Sequence, residues 1–162
     1  MAICARDIME PHVVAVAPDM PLAELGDLLI SKRISGVPVV EAGKLVGIVS
    51  RSDFVRCLSL GRALAELVAE GIESEEFAPG QAAALPALSQ QLTKQFEGRS
   101  VRDIMVRDPV TVSPEAPITE VARVLVSRHL HRVLVVAGTT VHGIISALDV
   151  VRLVAEGQLR VP

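Results

Sequence analysis

Apolar residues along this chain fall into short runs of two kinds, and the runs recur twice in the same order. Val13-Val14-Ala15-Val16 reads as a short β run, and Pro18 and Pro21 then mark a turn. Leu22, Leu25, Leu28 and Leu29 follow at the i, i+3, i+7 spacing of an amphipathic helix. Val37-Pro38-Val39-Val40 and Leu45 to Val49 flank a tight turn at Ala42-Gly43-Lys44, which predicts a β-hairpin, and a second helix opens at Ser52-Asp53. The later half repeats the order. Val110-Thr111-Val112 is a β run, and Ile118, Val121, Val124 and Leu125 form one helical face. Val133 to Val136 and Val141 to Ile145 flank a turn at Gly138-Thr139-Thr140, and a helix opens at Leu148-Asp149.

The two halves align without a gap. Residues 5–58 match residues 101–154 at a constant offset of 96, with about 20 of 54 positions identical. The matches include Arg6-Asp7-Ile8-Met9 with Arg102-Asp103-Ile104-Met105, Gly47-Ile48 with Gly143-Ile144, and Arg56 with Arg152. Each copy is a βαββα unit, so the fold class is α/β, with an α+β-like order of elements. A unit this small cannot cover both faces of its own sheet, and two copies packed sheet to sheet can. The expected organisation is repeat one over 1–60, a linker over 61–98 and repeat two over 99–162. Within the linker, 62–69 continues a helix that Gly71 stops, and 88–96 is a further helix closed by Gly98.

Composition narrows the function. Half of the 162 residues are hydrophobic, with no Trp, no Tyr and three Phe, and the net charge is −3. This is neither the basic face nor the aromatic stacking platform of a nucleic-acid binder. No apolar run reaches the roughly 18 residues of a membrane span, and no signal peptide is read at the start. Cys4 and Cys57 are not paired in a CxxC, so reduced thiols and a cytoplasmic location are expected. Mean hydropathy is +0.46, high enough to suggest apolar surface buried between subunits.

The chemistry sits in a heptad present twice: Gly47-Ile48-Val49-Ser50-Arg51-Ser52-Asp53 and Gly143-Ile144-Ile145-Ser146-Ala147-Leu148-Asp149. A hydroxyl and a carboxylate three residues apart straddle a strand-to-helix junction. The helix start offers N–H groups and positive potential. A carboxylate with spare acceptor capacity suits a vicinal diol such as the ribose hydroxyls. The same Ser-x-x-Asp spacing is also a helix-capping pattern, and both readings stand at this point.

With the opening D-I-M, the V-x-V-x-P turn, S-G-V-P-V-V and the doubled heptad, the chain resembles the CBS domain, named after cystathionine beta-synthase. A tandem pair of these forms a Bateman module. The resemblance implies an adenosine-containing ligand: AMP, ADP, ATP or a related adenosyl compound. It implies that Asp53 and Asp149 hold ribose, and that Ser50 and Ser146 contact ribose or phosphate. Backbone at Ser35-Gly36-Val37-Pro38 and His131-Arg132-Val133-Leu134 would read the adenine edge. Val14, Ile34 and Val37, or Val110, Leu130 and Val133, would sandwich the base, with Thr111 beside them. His131 and Arg132 replace Ser35 and Gly36 of the first repeat. They are the candidate phosphate contacts, which makes the two sites unequal.

His129-x-His131 lacks further metal ligands, so no metal is expected. No nucleophile-and-base constellation is visible, so the expected protein is a sensor rather than an enzyme, with no cofactor beyond its regulatory ligand. The expected partners are that small molecule, a second copy in a homodimer and a separate regulated protein, with neither nucleic acid nor membrane. The competing reading is a dimerising interaction protein with vestigial ligand sites.

Overall fold

Helical spacing and strand alternation both hold in the computed structural model, which describes residues 3–57 and 97–158. The elements are α1 (Ala5–Ile8), α2 (Leu22–Ser31), β1 (Gly36–Glu41), β2 (Lys44–Ser50) and α3, described over 51–57. A 3-10 turn (Val101–Asp103) follows, then β3 (Thr111–Val112), α4 (Ile118–Ser127), β4 (Arg132–Ala137), β5 (Thr140–Ser146) and α5 (Ala147–Ala155). This is the α/β class expected. The linker helices expected over 62–69 and 88–96 lie outside the described residues.

Contacts gather the chain into two compact units. One comprises Met1–Ala15, Val40–Gly47 and Arg107–Pro162, the other Val16–Val39 and Ile48–Val106. In the first, β3 runs parallel to β4 and β5 antiparallel to it. Val133, Val135 and Ile145 share a face of this sheet, against Ile118, Val121 and Leu125 of α4 and Leu153 of α5. Burying each such side chain contributes about 1.5–3 kcal/mol. In the second unit the positions one offset earlier are buried: Leu22, Leu25, Leu29, Val37, Val39 and Val49. Cys57 is the counterpart of core Leu153. It is half-buried, and its Sγ accepts from Arg99 Nη1 at 3.0 Å.

Each unit is completed by the opening segment of the other repeat. Ala5 N–H donates to Ala116 O, Arg6 N–H to Pro114 O and Ile118 N–H to Ile3 O, and Glu10 and Ile144 exchange both backbone hydrogen bonds. The other unit mirrors this: Val101 N–H donates to Met20 O, Arg102 N–H to Pro18 O and Leu22 N–H to Arg99 O, and Ile48 and Val106 exchange both. Ala5 and Val101, equivalent by the repeat, are each fully buried in the unit that they join.

Local details differ from the sequence reading for physical reasons. The β run expected at Val13–Val16 is a single parallel bridge, Val16 to Val39. Val16 N–H donates to Pro38 O at 3.0 Å. Pro38 has no N–H to return, so the ladder stops. Repeat two has Leu134 there and keeps β3, although Val110 falls outside it. The hairpin turns are two residues long, since Lys44 and Thr140 already belong to strands. Ala42 and Gly43 both have positive φ, at 49° and 77°, matching the twist a tight hairpin requires. The second helices begin one residue early, at 51 and at Ala147, because the heptad serines are their N-caps.

Candidate functional site

Both heptads form reciprocal capping boxes. Ser50 donates its N–H and its hydroxyl to Asp53 Oδ2 at 2.9 and 2.5 Å, and Asp53 N–H points back at Ser50 Oγ at 3.4 Å. Ser146 and Asp149 repeat this at 2.8, 2.6 and 3.3 Å. The capping reading is therefore correct, but it engages only one carboxylate oxygen. Oδ1 faces a guanidinium one turn on: Arg56 at 3.3 Å for Asp53, and Arg152 at 3.7 Å for Asp149. In the sequence Arg56 and Arg152 stand out only as matched residues. Their identity in both repeats, three residues after the aspartate, was the signal for this role.

The opening segments provide an internal comparison. Asp103 Oδ2 accepts from Ser100 N–H at 2.7 Å, and Asp7 Oδ2 from Cys4 N–H at 2.8 Å. Capping alone thus occurs at exposed aspartates. Asp53 is 8% exposed, and among the described residues no other charged side chain is so enclosed. Enclosing a carboxylate is costly unless its oxygens are satisfied.

Main-chain bonds bring the start of the first hairpin strand to each box. In repeat one, Arg51 N–H donates to Ser35 O at 2.9 Å, which ties the start of α3 to the start of β1. Gly36 lies so close that a Cβ there would come 3.1 Å from Val49 O and 3.3 Å from Ser50 Cβ. In repeat two, Ala147 N–H donates to His131 O at 2.9 Å. Arg132 pairs across the hairpin with Ser146, and Thr111 lies beside Leu134. His131, Arg132 and Thr111 are exposed there. Val37 and Val133 are 1% and 2% exposed. Their side chains are therefore enclosed, whereas the base-sandwiching role expected of them calls for apolar surface. Pro38 is likewise enclosed, with its carbonyl committed to Val16. Val14 and Val110, at 38% and 36%, keep apolar surface exposed.

Arg33 and His129 occupy one equivalent position, each with φ of 53° just past a helix end. Ile34 N–H reaches back to Leu29 O and Leu130 N–H to Leu125 O, the bonds of a left-handed helix cap. A non-glycine residue there costs on the order of 1 kcal/mol. Glu10, beside Ile144, is held below the ordinary carboxylate pKa by the His12 backbone N–H and then by the His12 ring, with Asp149 opposing weakly. Among the described residues no His, Cys, Asp or Glu group could hold a metal ion, and no helix is long and apolar enough to cross a membrane.

Comparison with known proteins agrees with this geometry. The chain is 32% identical over 158 residues to a zinc metalloprotease of Methanocaldococcus jannaschii, covering 98% of this chain but 34% of that protein. It thus spans about a third of that relative. Among solved structures, CBSX2 of Arabidopsis thaliana in complex with AMP matches with TM-score 0.68 and 23% identity, covering 96% of this chain and 98% of that one. The CBS domain pair of protein MJ0100, in complex with 5′-methylthioadenosine and S-adenosyl-L-methionine, matches with TM-score 0.66 and 21% identity, covering 97% and 99%. The CBS domain description itself matches twice, over residues 5–60 and 101–156, so that each match contains one capped heptad. Doubled heptad, doubled fold and doubled match together establish that the chain belongs to the CBS domain family.

Proposed function

We propose that the chain is a regulatory module that binds an adenosine-containing ligand, AMP, ADP, ATP or a related adenosyl compound, and transmits its presence to a dimer mate or a separate protein. The observation that carries this is the divided labour of Asp53 and Asp149. One oxygen caps a helix, while the other is turned to a guanidinium one turn further along that helix. That oxygen is the acceptor for a ribose hydroxyl, and the backbone of 35–38 or 131–134 lies beside it to read a base edge. Arg132, exposed and cross-strand from Ser146, supplies phosphate charge where repeat one has Gly36. The ligands named for the CBSX2 and MJ0100 structures are of this chemical class. The role proposed for the heptad serines and aspartates is binding, with each pair also closing its helix cap. Cys4 and Cys57 are not joined in a disulfide, which suits a cytoplasmic setting.

A thermal-shift series with adenosine, AMP, ADP, ATP and S-adenosylmethionine tests this reading. A ligand at 100 times its Kd is expected to add about 2.7 kcal/mol of stability. AMP should exceed adenosine, and Arg132→Ala should remove that difference. Absence of a shift with every compound would overturn the proposal.

The dimer part of the proposal rests on matched exposure. Ile30 and Val126 are 73% and 75% exposed, and Val55 and Val151 58% and 59%. Each pair is one repeat position, so apolar residues are left uncovered on helices in both repeats. Light scattering should return twice the chain mass, and Ile30→Glu with Val126→Glu should reduce it to one. These same residues support the second reading, an interaction protein with vestigial sites. A dimer with no thermal shift would select it.

A further inference from the structure

Arg51 follows the capping serine directly and opens α3. A cation in the first turn of a helix faces the positive end of the helix dipole. Its side chain escapes that position, since Nη2 donates to Leu29 O at 3.0 Å. Leu29 lies in the last turn of α2, where the dipole favours a cation. The same carbonyl accepts Ile34 N–H at 3.1 Å, and the backbone N–H of Arg51 donates to Ser35 O at 2.9 Å. One residue thus ties together the end of α2, the turn through the left-handed Arg33, and the start of β1. Repeat two keeps the main-chain bonds, from Leu130 N–H to Leu125 O and from Ala147 N–H to His131 O, both at 2.9 Å. It has alanine where repeat one has Arg51, so the side-chain tie is missing there.

We infer that Arg51 is a positioning residue, a latch that fixes the backbone of Ser35-Gly36-Val37-Pro38 and gives repeat one a preorganised base-reading edge that repeat two lacks. The ligand half of this inference rests on the function proposed above. A backbone already held in its binding geometry avoids an ordering cost when the ligand arrives. The two repeats therefore differ in two ways: Arg132 adds charge to repeat two, and Arg51 adds rigidity to repeat one.

Amide hydrogen exchange on the full, ligand-free chain tests the latch without any ligand. In Arg51→Ala, the amides of Ile34 and of residue 51 should exchange about tenfold faster, while those of Leu130 and Ala147 stay unchanged. Titration calorimetry with adenosine and with AMP should then show both weakened alike at one site, by about three- to tenfold. Unaltered exchange at Ile34 would overturn the latch. Loss of AMP affinity with adenosine unaffected would also overturn it, by making Arg51 a phosphate ligand. Should the wild-type chain bind neither compound while Ile34 exchange still accelerates, the proposed function fails and the latch stands.

Discussion

Replacing Gly143 by alanine is expected to destabilise the protein by about 1–3 kcal/mol, the usual cost of forcing a methyl group into filled space. A Cβ at Gly143 would sit 2.7 Å from both Cγ and Sδ of Met9 and 2.9 Å from its Cβ. The end of the Met9 side chain can swing aside, but its Cβ cannot. Met9 N–H is bonded to Ala5 O at 3.0 Å, and the next residue exchanges backbone bonds with Ile144 at 2.9 and 3.0 Å. The conflict therefore falls on the docking of the opening segment. Each kcal/mol lowers the melting temperature of a chain this size by about 2–4 °C. Shortening the partner, as Met9→Ala, should restore part of the loss in the double variant. If Met9→Ala and Gly143→Ala simply add, the close approach is not the reason for glycine here.

Gly143 also shows what could be read before the fold was known. The ungapped repeat carried the order of the elements, because hydrophobic period reports the local state directly. The buried positions of α2 and α4 are those the spacing indicated, apart from the half-buried Leu28 and Val124. What period cannot report is which sheet a segment joins. The segment from Ala5 to Glu10 reads as the start of repeat one, yet its long-range backbone partners are Pro114, Ala116 and Ile144. Only long-range pairing decides that, and a glycine whose purpose is to admit Met9 looks like any other glycine. The shortening of the first β run was in principle legible, since Pro38 was visible and its missing N–H is a property of the residue alone.

At the candidate site, residue type was legible and orientation was not. Ser-x-x-Asp announced both a cap and a ligand, and the spacing could not say that a carboxylate has an oxygen for each. The enclosure of Val37 and Val133 follows from the strands being buried on that face, which alternation alone left open. The role of Arg51 is not legible within the heptad, because its partner Leu29 lies 22 residues away.

Changing Asp53 to Asn is expected to weaken adenosine-ligand binding at its site at least tenfold, or about 1.4 kcal/mol, while moving stability far less. The amide keeps one oxygen to accept from Ser50 N–H and Oγ, so the cap survives with an asparagine in it. It loses the charge, and it turns an amino group toward Arg56, now 3.3 Å from Oδ1. Hydrogen bonds to a charged group are worth about 1.5–3 kcal/mol each, which sets the expected loss. Asp149→Asn should act in the same direction but more weakly, because that side chain is 27% exposed and its arginine lies farther off, at 3.7 Å. The decisive control is Asp103→Asn. Asp103 makes the same box with Ser100, at 2.7 and 3.3 Å, and is exposed and not part of either heptad. Calorimetry and melting curves on all three variants should find similar small stability changes, with binding altered only at Asp53 and Asp149. If Asp53→Asn lowers melting temperature and leaves affinity intact, the second oxygen has no ligand to hold and the heptad is a cap alone.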